Sequence, residues 1–325
     1  MTRYDIVIYG ASGFTGAQIV KTVATAEICK GKTVAVAGRN ESKIRSTLDE
    51  VAKDIGPLGT DVRKYPVLIA DTSDPESLDA MAKQAKVIIN AVGPYRLYGE
   101  PVVKAAIENG ASHVDISGEE RYIERMELLY KEKAAETGSY VVSACGWDSI
   151  PVDMGVEYLK RNFPGELGYA ETCCSMMPGE KGLVTNTGTF NSIVMHMAEL
   201  FKHDGDMKSE LMPKHIPHRK YKPPSRIIPF WRIHKGTLDG WAQPFGGGDK
   251  SVVQRSQYHD FITNNEMPIP IETYFFVPSM LYSILIGMWS AFVFVFAQFG
   301  FTRSLLLNHP EFFTLGYFNV SGVNP

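Results

Sequence analysis

Short apolar runs alternate with stretches of helical character over roughly the first 150 residues. Six runs have the length of β-strands, at residues 4–9, 33–37, 66–70, 86–91, 112–116 and 139–143. Helix-length stretches between consecutive runs predict right-handed crossovers in a doubly wound parallel sheet. Ligands of such α/β sheets bind at the carboxyl ends of the strands, so we expect the loops after these runs to hold the functional residues.

A glycine-rich turn follows the first apolar run directly. Residues 10–16 read Gly-Ala-Ser-Gly-Phe-Thr-Gly. Between a strand and a helix, Gly10 makes the tight turn, Gly13 lets the backbone approach a pyrophosphate, and Gly16 lets the helix pack against the strand. The pyrophosphate would lie at the helix N-terminus, where unpaired N–H groups favour negative charge. The pattern predicts a dinucleotide site; the alternative is a strand-to-helix turn that only needs glycine.

The residues after the second and third runs indicate which dinucleotide is bound. Arg39 stands where NAD-specific proteins usually carry an acidic residue for the ribose 2′-hydroxyl, and Lys43 follows four residues later. A guanidinium suits a 2′-phosphate, so NADP(H) is favoured; the alternative is an exposed arginine that caps the next helix. Asp71 is expected either to touch the adenine edge or to cap the helix that begins near Pro75.

The loops after the fourth, fifth and sixth runs carry polar residues at the expected nicotinamide end of the sheet. They are Asn90–Tyr95, Asp115–Glu119 and Gly146–Pro151. Gly93 and Pro94 are expected to bring the backbone and the proline ring close to the nicotinamide. Each loop also agrees with ordinary turn chemistry, because Gly-Pro and Asp-Ser are common turn sequences.

A reductase needs a proton source, and the sequence offers a small set of candidates. None of the 15 tyrosines has a lysine four residues later, so the Tyr-x-x-x-Lys mechanism is excluded. Tyr95, Tyr98 and Asp148 are the candidate acids, with Glu100 and Glu119 as partners, since an acid must lie within hydrogen-bond reach of the reacting atom. Side chains of these types can instead pack or cap.

Composition indicates a soluble enzyme core and excludes several classes of protein. The 325 residues are 44% hydrophobic and 21% charged, which suits about two globular domains. With a formal net charge of −3, the chain lacks the excess of basic residues that is typical of nucleic-acid-binding proteins. The cysteines lack paired metal spacing, and His215 and His218 lack a third ligand, so no metal site is predicted. The first run begins at Tyr4, so we expect no signal or transit peptide, and a nucleotide domain that faces the cytosol or is imported by another route.

Two segments of the second half suggest contact with a lipid surface. Residues 202–235 are rich in Lys, Arg, His and Pro, and predict an exposed loop that either favours an anionic membrane or is a solvated linker. Residues 274–301 carry no charge and could cross a hydrocarbon core of about 30 Å. Pro278, Gly287 and Gln298 weaken a simple span. A helical hairpin in one leaflet or droplet monolayer, or a buried or dimer-forming helix, are the alternatives.

Taken together, the motifs resemble the saccharopine dehydrogenase-like oxidoreductases, a group that includes mycobacterial trans-acting enoyl reductases. The resemblance covers essentially the whole chain and rests on GASGFTG (10–16), AGR (37–39), NAVGPYRLYGEPVV (90–103), DISGE (115–119) and GWDSIP (146–151). It implies a dinucleotide-binding domain followed by an α/β domain, and association with lipid droplets and membranes. It also implies cofactor contacts from Gly10, Ser12, Gly13, Phe14, Thr15, Gly16 and Arg39.

Two departures limit what the resemblance implies. Members of the family continue beyond the segment that matches Gly316–Val320, and their C-terminal stretch, which returns toward the first domain, is expected to be missing here. No arginine cluster suits a substrate with several carboxylates. The sequence therefore does not predict a saccharopine dehydrogenase of the lysine pathway.

The sequence thus predicts a Rossmann-type NADP(H)-binding domain at 1–150 and a second α/β domain at 151–325. The first of two functions is an NADP(H)-dependent oxidoreductase for a lipid or acyl-type substrate at a membrane or lipid-droplet surface. The second is a catalytically silent nucleotide-binding protein that serves as an anchored interaction module; a homodimer fits both. The predicted cofactor residues are Gly10, Ser12, Gly13, Phe14, Thr15, Gly16, Arg39, Lys43, Asp71 and Gly93.

Overall fold

The chain folds into two compact units. The computed structural model describes residues 3–178, 180, 184–199, 207–213, 227–235 and 238–319. The first unit comprises Met1–Ser117 with Arg121–Gly146, and the second Gly118–Glu120 with Trp147–Pro325. Most of the basic segment 202–235, including His215 and His218, lies outside the described residues.

A six-stranded parallel sheet forms the centre of the first unit. Its strands are β1 (Tyr4–Tyr9), β2 (Val34–Gly38), β3 (Val67–Ile69), β4 (Ala85–Asn90), β5 (Ser112–Asp115) and β6 (Val141–Val142). The order is β3-β2-β1-β4-β5-β6, and all neighbours are parallel. This confirms the predicted doubly wound sheet. The order reverses between β1 and β4, which opens a crevice at the carboxyl ends of these strands.

Five helices of the first unit connect these strands or follow them. They are α1 (Phe14–Thr25), α2 (Glu41–Ile55), α3 (Pro75–Ala82), α4 (Tyr95–Glu108) and α5 (Glu120–Thr137). Polar side chains begin two of them: Asn40 accepts from the Lys43 N–H at α2, and Asp74 accepts from the Glu76 and Ser77 N–H groups at α3. The helix near Pro75 is therefore capped by Asp74, and the expectation that Asp71 caps it is wrong.

Apolar side chains of the sheet are buried on both of its faces. Tyr9 belongs to a core shared with Leu78 of α3, whereas the adjacent Ile8 belongs to a core shared with Val20 of α1 and Ile44 of α2. Successive strand residues point to opposite faces, so both faces need apolar residues when helices cover both. This is why these strands read as continuous apolar runs.

A four-stranded mixed sheet forms the centre of the second unit. Its strands are β7 (Ala170–Ser175), β9 (Arg232–Lys235), β10 (Leu238–Pro244) and β11 (Ile271–Val277), in the order β7-β11-β10-β9. The β7–β11 pair is parallel and the others are antiparallel. A separate pair joins β8 (Thr185–Asn186) to β12 (Phe318–Asn319). The helices are α6 (Ile150–Asn162), α7 (Thr187–Glu199), α8 (Met207–Leu211), α9 (Asp249–Asn264), α10 (Met280–Gln298), α11 (Gly300–Asn308) and α12 (Pro310–Phe313).

The apolar segment predicted at 274–301 contains two kinds of structure. Its first four residues form the end of β11, between β7 and β10, so these residues are not part of a membrane helix. Aromatic and β-branched residues followed by Pro278 favour a strand at this point. Helix α10 begins after Ser279, whose hydroxyl accepts from the Tyr282 N–H, and continues unbroken through Gly287. A helical hairpin within this segment is therefore wrong.

Helix α10 has one covered stripe and one exposed stripe along its length. The covered stripe includes Val293 and Ala297, which share a core with Phe190 and Val194 of α7 and Leu306 of α11. The opposite stripe recurs with helical spacing and is exposed at Leu281, Ile284, Leu285, Met288, Phe292 and Val295. In the described part of the chain, α10 is the one helix long and apolar enough to span a membrane.

Candidate functional site

The turn between β1 and α1 contains three glycines, and its geometry excludes a side chain at two of them, Gly10 and Gly16. Gly10 has a φ of +87°, and a Cβ there would lie 2.8 Å from Val92 Cγ2. A Cβ on Gly16 would overlap the Gly10 carbonyl oxygen. Gly13 has an ordinary φ of −84° and stands at the N-cap of α1. The geometry thus needs Gly10 and Gly16 for packing, and leaves Gly13 as the position where a side chain would obstruct a ligand rather than the fold.

The N-terminus of α1 offers backbone donors to an anion. Its N-cap, Gly13, provides no side-chain hydrogen bond, and the first intrahelical bond runs from the Ala17 N–H to the Gly13 carbonyl at 2.9 Å. The N–H groups of Phe14, Thr15 and Gly16 therefore precede the helical hydrogen-bond ladder. Such groups, together with the helix dipole, suit a pyrophosphate, so the residues present fit a dinucleotide.

Charged side chains follow β2 and β3 at the carboxyl ends of these strands. The Arg39 side chain is 77% exposed, and its Nε lies 4.0 Å from Asp71 Oδ2. The Ser73 N–H and hydroxyl donate to Asp71, and these bonds lower the pKa of the Asp71 carboxyl. Asn40 caps α2, so the alternative of Arg39 as its cap is not observed. Arg39 and the exposed Lys43 are thus available to a 2′-phosphate.

A buried polar network begins at the carboxyl end of β4. Asn90 is fully buried; its Oδ1 accepts from the Val92 N–H at 3.0 Å, and its Nδ2 lies 3.3 Å from His113 Nε2. The Tyr95 hydroxyl donates to the Asn90 carbonyl at 2.9 Å, and its ring contacts Tyr122. Among the candidate acids, the Tyr95 hydroxyl therefore has a structural partner.

The other candidates of the first unit differ in exposure. Tyr98 is 40% exposed on α4, and Gly93 is exposed in the loop that precedes this helix. Glu100 accepts hydrogen bonds from Arg125 Nε at 3.2 Å and from the Tyr130 hydroxyl at 3.4 Å. Tyr98 is thus the candidate tyrosine that a substrate can reach, whereas Glu100 is engaged in surface contacts.

Asp115, the last residue of β5, is the centre of the buried network. Its Oδ1 accepts from the N–H groups of Ser117 at 2.9 Å and Ala144 at 3.3 Å. Its Oδ2 accepts from the hydroxyls of Tyr122 at 3.1 Å and Ser143 at 3.0 Å. Only 1% of Asp115 is exposed. The carboxylate therefore joins the loops after β5 and β6 to helix α5.

His113 is the basic side chain closest to this carboxylate. Its Nδ1 lies 3.9 Å from Asp115 Oδ2, and the ring is fully buried. Burial lowers the pKa of His113, although the Asp115 charge acts in the opposite direction. His113 is therefore neutral near pH 7, because its ordinary pKa of 6.5 already lies below that pH.

A cavity of about 360 Å³ extends from α1 to this network. Thr15 and Gln18 lie on the first turns of α1, and Asp115 and Cys145 follow β5 and β6. Its remaining lining residues are mostly apolar: Ile19, Thr22, Val23, Ile89, Val114 and Ile116. The volume is within the range of small-molecule sites. The cavity thus connects the anion-binding turn with the polar network.

Two carboxylates lie close together in the second unit. Asp148 packs against a glycine loop so tightly that a Cβ on Gly247 would lie 2.7 Å from both of its carboxylate oxygens. Burial raises the pKa of Asp148 and, with a contribution from the Asp148 charge, raises the pKa of Asp249 to about 6. The run Gly246-Gly247-Gly248 before Asp249 was a signal for this second residue, which the sequence reasoning did not select.

Glu119 of the DISGE motif, which the sequence suggested as a partner for a catalytic acid, is buried in the second unit. It is 3% exposed and accepts from the Ser192 hydroxyl at 3.3 Å. Among the described residues, no group of three or more His, Cys, Asp or Glu side chains could hold a metal ion. The first unit thus offers residues that fit a dinucleotide, and the second unit has acidic side chains of its own in Glu119, Asp148 and Asp249.

The sheet and the glycine turn define a dinucleotide-binding protein of the Rossmann type. Residues 6–142 match the family model described as the saccharopine dehydrogenase NADP binding domain, so this domain binds NADP. The chain is 46% identical over 323 residues to the Lipid droplet localized protein of Caenorhabditis elegans, covering 99% of this chain and 75% of that protein. It is 37% identical over 328 residues to the human Saccharopine dehydrogenase-like oxidoreductase, covering 98% and 74%.

A more distant relative matches half of the chain. The Trans-acting enoyl reductase of Mycobacterium ulcerans is 39% identical over 159 residues, which are 49% of this chain and 36% of that protein. The two matches that cover at least 98% of this chain decide the classification. The chain belongs to the saccharopine dehydrogenase-like oxidoreductase family, as the motifs at residues 10–16, 90–103 and 115–119 predicted.

Proposed function

We propose that this protein is an NADP(H)-dependent oxidoreductase that acts on a lipid or acyl-type substrate at a lipid-droplet or membrane surface. The observation that carries the proposal is a nucleotide site in the same chain as a helix with an exposed apolar stripe. The similarity to a Lipid droplet localized protein and to a Trans-acting enoyl reductase supports it. We assign the nucleotide to residues 1–150 and the lipid surface to residues 151–325.

Residues of the first unit would bind and orient the cofactor. The α1 N-terminus would hold the pyrophosphate through the turn at 10–16, including Ser12, and Arg39 with Lys43 would hold the 2′-phosphate. Gly93 would lie near the nicotinamide, and Asp71 near the adenine edge. Bound NADPH would supply the hydride, so the protein needs to provide position, orientation and one proton.

Tyr98 and Asp148 are the stronger candidates for the proton source. Tyr98 is exposed, whereas the hydroxyl of Tyr95 donates to the Asn90 carbonyl. Burial raises the pKa of Asp148, which keeps a proton on this carboxyl at higher pH than on an exposed aspartate. A raised pKa brings a carboxyl closer to the value a general acid needs at neutral pH.

Helix α10 would lie in the lipid surface rather than cross it. Polar contacts bind it to the second unit: Trp289 Nε1 donates to the Phe313 carbonyl at 3.0 Å, and Gln298 Nε2 donates to the Met197 carbonyl at 2.9 Å. A spanning helix would lose these bonds and the core around Val293. An interfacial helix keeps them and buries only its exposed stripe in lipid. The nucleotide domain would then remain in the cytosol.

Turnover at a lipid surface tests the proposed function. The purified chain is mixed with NADPH and with artificial droplets that contain an enoyl, a keto or an imine lipid, and NADPH oxidation is followed by absorbance. We expect oxidation with one substrate class and none without droplets. NADPH binding without oxidation of any of the three would instead support the silent interaction module.

Arg39→Asp tests the cofactor assignment independently of the substrate. We expect NADPH affinity to fall by at least about tenfold while NADH affinity changes much less, because the variant removes the phosphate partner and adds repulsion. Isothermal calorimetry measures both affinities. Arg63→Asp is the matched control, since Arg63 is exposed and precedes β3 at the amino end of the sheet, whereas Arg39 follows β2 at its carboxyl end. Equal losses for both cofactors in Arg39→Asp would reject the role of this residue.

A further inference from the structure

We propose that the buried carboxylate of Asp115 makes the nucleotide site bind the cationic nicotinamide of NADP⁺ more tightly than the neutral ring of NADPH. The inference rests on the nucleotide site of the first unit and needs no substrate. It assigns to Asp115 an electrostatic role toward the cofactor, in addition to its contacts with two loops and a helix.

Asp115 lies at the end of the site where the nicotinamide is expected. It is the last residue of β5, and β5 is paired with β4, which adjoins the switch point of the sheet. The cavity that it lines begins at Thr15 and Gln18, directly after the turn that would hold the pyrophosphate. A dinucleotide that starts at this turn extends across the carboxyl ends of the strands, so its second half reaches β4 and β5.

The hydrogen bonds around Asp115 fit an ionised side chain. Both partners of Oδ1 are backbone N–H groups, those of Ser117 and Ala144, and such groups only donate. The hydroxyls of Tyr122 and Ser143 donate to Oδ2. A carboxylate accepts all four bonds, so the surroundings of Asp115 supply a donor for each of them.

No cation balances this charge among the residues described around it. His113 is the one basic side chain recorded within 4 Å of the carboxylate in the described ranges, and its burial favours the neutral ring. Donors lower the cost of burying a carboxylate but leave its net charge in place. A buried, uncompensated negative charge acts over several ångströms, because little water screens it.

The two cofactor forms differ by one positive charge in the nicotinamide ring and share their phosphates and riboses. An effect that depends on ring charge therefore changes the ratio of the two dissociation constants, whereas a general loss of shape changes both constants. Asp115→Asn removes the charge with little change in volume. The amide oxygen still accepts from Ser117 and Ala144, and the hydroxyls of Tyr122 and Ser143 can turn to accept from the amide nitrogen.

The test is the pair of dissociation constants of the wild type and Asp115→Asn, measured with NADP⁺ by calorimetry and with NADPH by its fluorescence. We expect the Kd of NADP⁺ to rise about tenfold and the Kd of NADPH to stay within about twofold, since one charge–charge interaction is removed from the first complex only.

Two controls separate the charge from structural damage. Tyr122→Phe removes one donor from the same carboxylate but keeps its charge, so the ratio of the two constants should not change. Asp5→Asn removes a hydrogen-bonded carboxylate at the amino end of the sheet, where it accepts from the Thr33 N–H and Lys86, and should also leave the ratio unchanged.

A proportional loss of both cofactors in Asp115→Asn, or no change in either constant, would overturn the inference. If circular dichroism shows that this variant does not fold, the wild type decides: NADP⁺ must bind more tightly than NADPH, and the reverse order rejects the role of Asp115. Failure of the proposed reductase activity is distinguishable from failure of this inference. A protein without reductase activity would still have measurable dissociation constants for NADP⁺ and NADPH, and their ratio would still respond to Asp115→Asn.

Discussion

Each unit contains an apolar segment, and the two segments lie in opposite environments. All five residues of β2, Val34–Gly38, are buried, because neighbouring strands and helices on both faces surround them. Helix α10 is apolar around its whole circumference, yet only Val293 and Ala297 of its 19 residues are buried. An apolar segment is thus fully covered only where the fold supplies neighbours on every side. The remaining face of α10 favours a partner outside the protein, for which we propose lipid.

Buried carboxylates show a related contrast between the units. Asp115 of the first unit accepts four hydrogen bonds. Asp249 of the second unit is 3% exposed and accepts from the Lys250 N–H at 2.8 Å, and burial raises its pKa. The two carboxylates thus differ in the number of donors around them, and burial with few donors favours the protonated form of Asp249.

The largest effect is expected where the fold of the first unit has no spare volume. Gly16→Val places a branched side chain against the Gly10 carbonyl and the Ala11 backbone. We expect a loss of about 3 kcal/mol in the free energy of unfolding, measured by urea denaturation, together with the loss of NADPH binding. Wild-type stability in this variant would contradict the close approach of α1 to the turn.

Gly13→Ala is the matched control for that variant. A Cβ at this position would meet the Gly10 carbonyl oxygen at 3.3 Å, and its φ suits an ordinary residue. We therefore expect a much smaller loss of stability than in Gly16→Val but clearly weaker NADPH binding, because the methyl group occupies space that the pyrophosphate needs. The two glycines separate folding from binding within one turn.

An intermediate effect is expected from the two stripes of α10. Val293→Ala removes buried methyl groups and should cost about 2 kcal/mol of stability, measured by chemical denaturation, with little effect on lipid binding. The double variant Leu285→Glu and Met288→Glu changes the exposed stripe only. It should keep its stability within about 0.5 kcal/mol and lose most of its flotation with droplets coated by phosphatidylcholine.

Met154→Glu is the control for the exposed stripe. Met154 is 59% exposed on α6, so this variant adds a charge to another apolar surface of the same unit. It should float like the wild type. Equal flotation of the α10 double variant and the wild type would reject the lipid contact of this helix.

The smallest effect is expected from the pH dependence of Asp249. Its pKa rises from 3.8 to about 6 on folding, mainly through burial, so the folded protein holds a proton that the unfolded chain releases. This contribution to stability is complete below about pH 4 and is lost as the pH rises through about 6. Asp249→Asn cannot ionise, so its Tm should exceed that of the wild type by about 3 °C at pH 7.5 and not at pH 4.

Calorimetric scans at the two pH values measure this difference. Asp239→Asn is the control, since Asp239 is an exposed residue of the same unit. A Tm difference between Asp249→Asn and the wild type that does not depend on pH would contradict the assignment of the proton to Asp249.

The sequence predicts the structure best where one local pattern determines it. All six predicted strands of the first unit form, and central strands such as β1 and β2 show continuous apolar runs because both of their faces are covered. The family was predicted from the glycine turn and the loop motifs, and NADP was predicted from Arg39 and Lys43. Asp115 belongs to the DISGE motif, but the motif did not predict the hydrogen-bond network around this carboxylate. Its four donors come from separate loops and a helix.

The sequence predicts element boundaries least well where apolar residues continue from one element into another. The segment 274–301 has no charge to mark the boundary, so the end of β11 and the start of α10 were read together. Pro278 and Ser279 were the local signals of this boundary. Which stripe of α10 is covered depends on α7 and α11, and no pattern within the helix contains that information.

The short link between β11 and α10 has a consequence for the kind of surface that this protein can recognise. Only Pro278 and Ser279 separate Val277, buried in the sheet, from the first residue of α10. In the proposed lipid contact, the helix could therefore not sink deeper without moving the strand, and the protein would set its depth of penetration. A helix held at a shallow depth enters most readily where headgroups are loosely packed, so we expect selection for surfaces with gaps between headgroups over tightly packed bilayers.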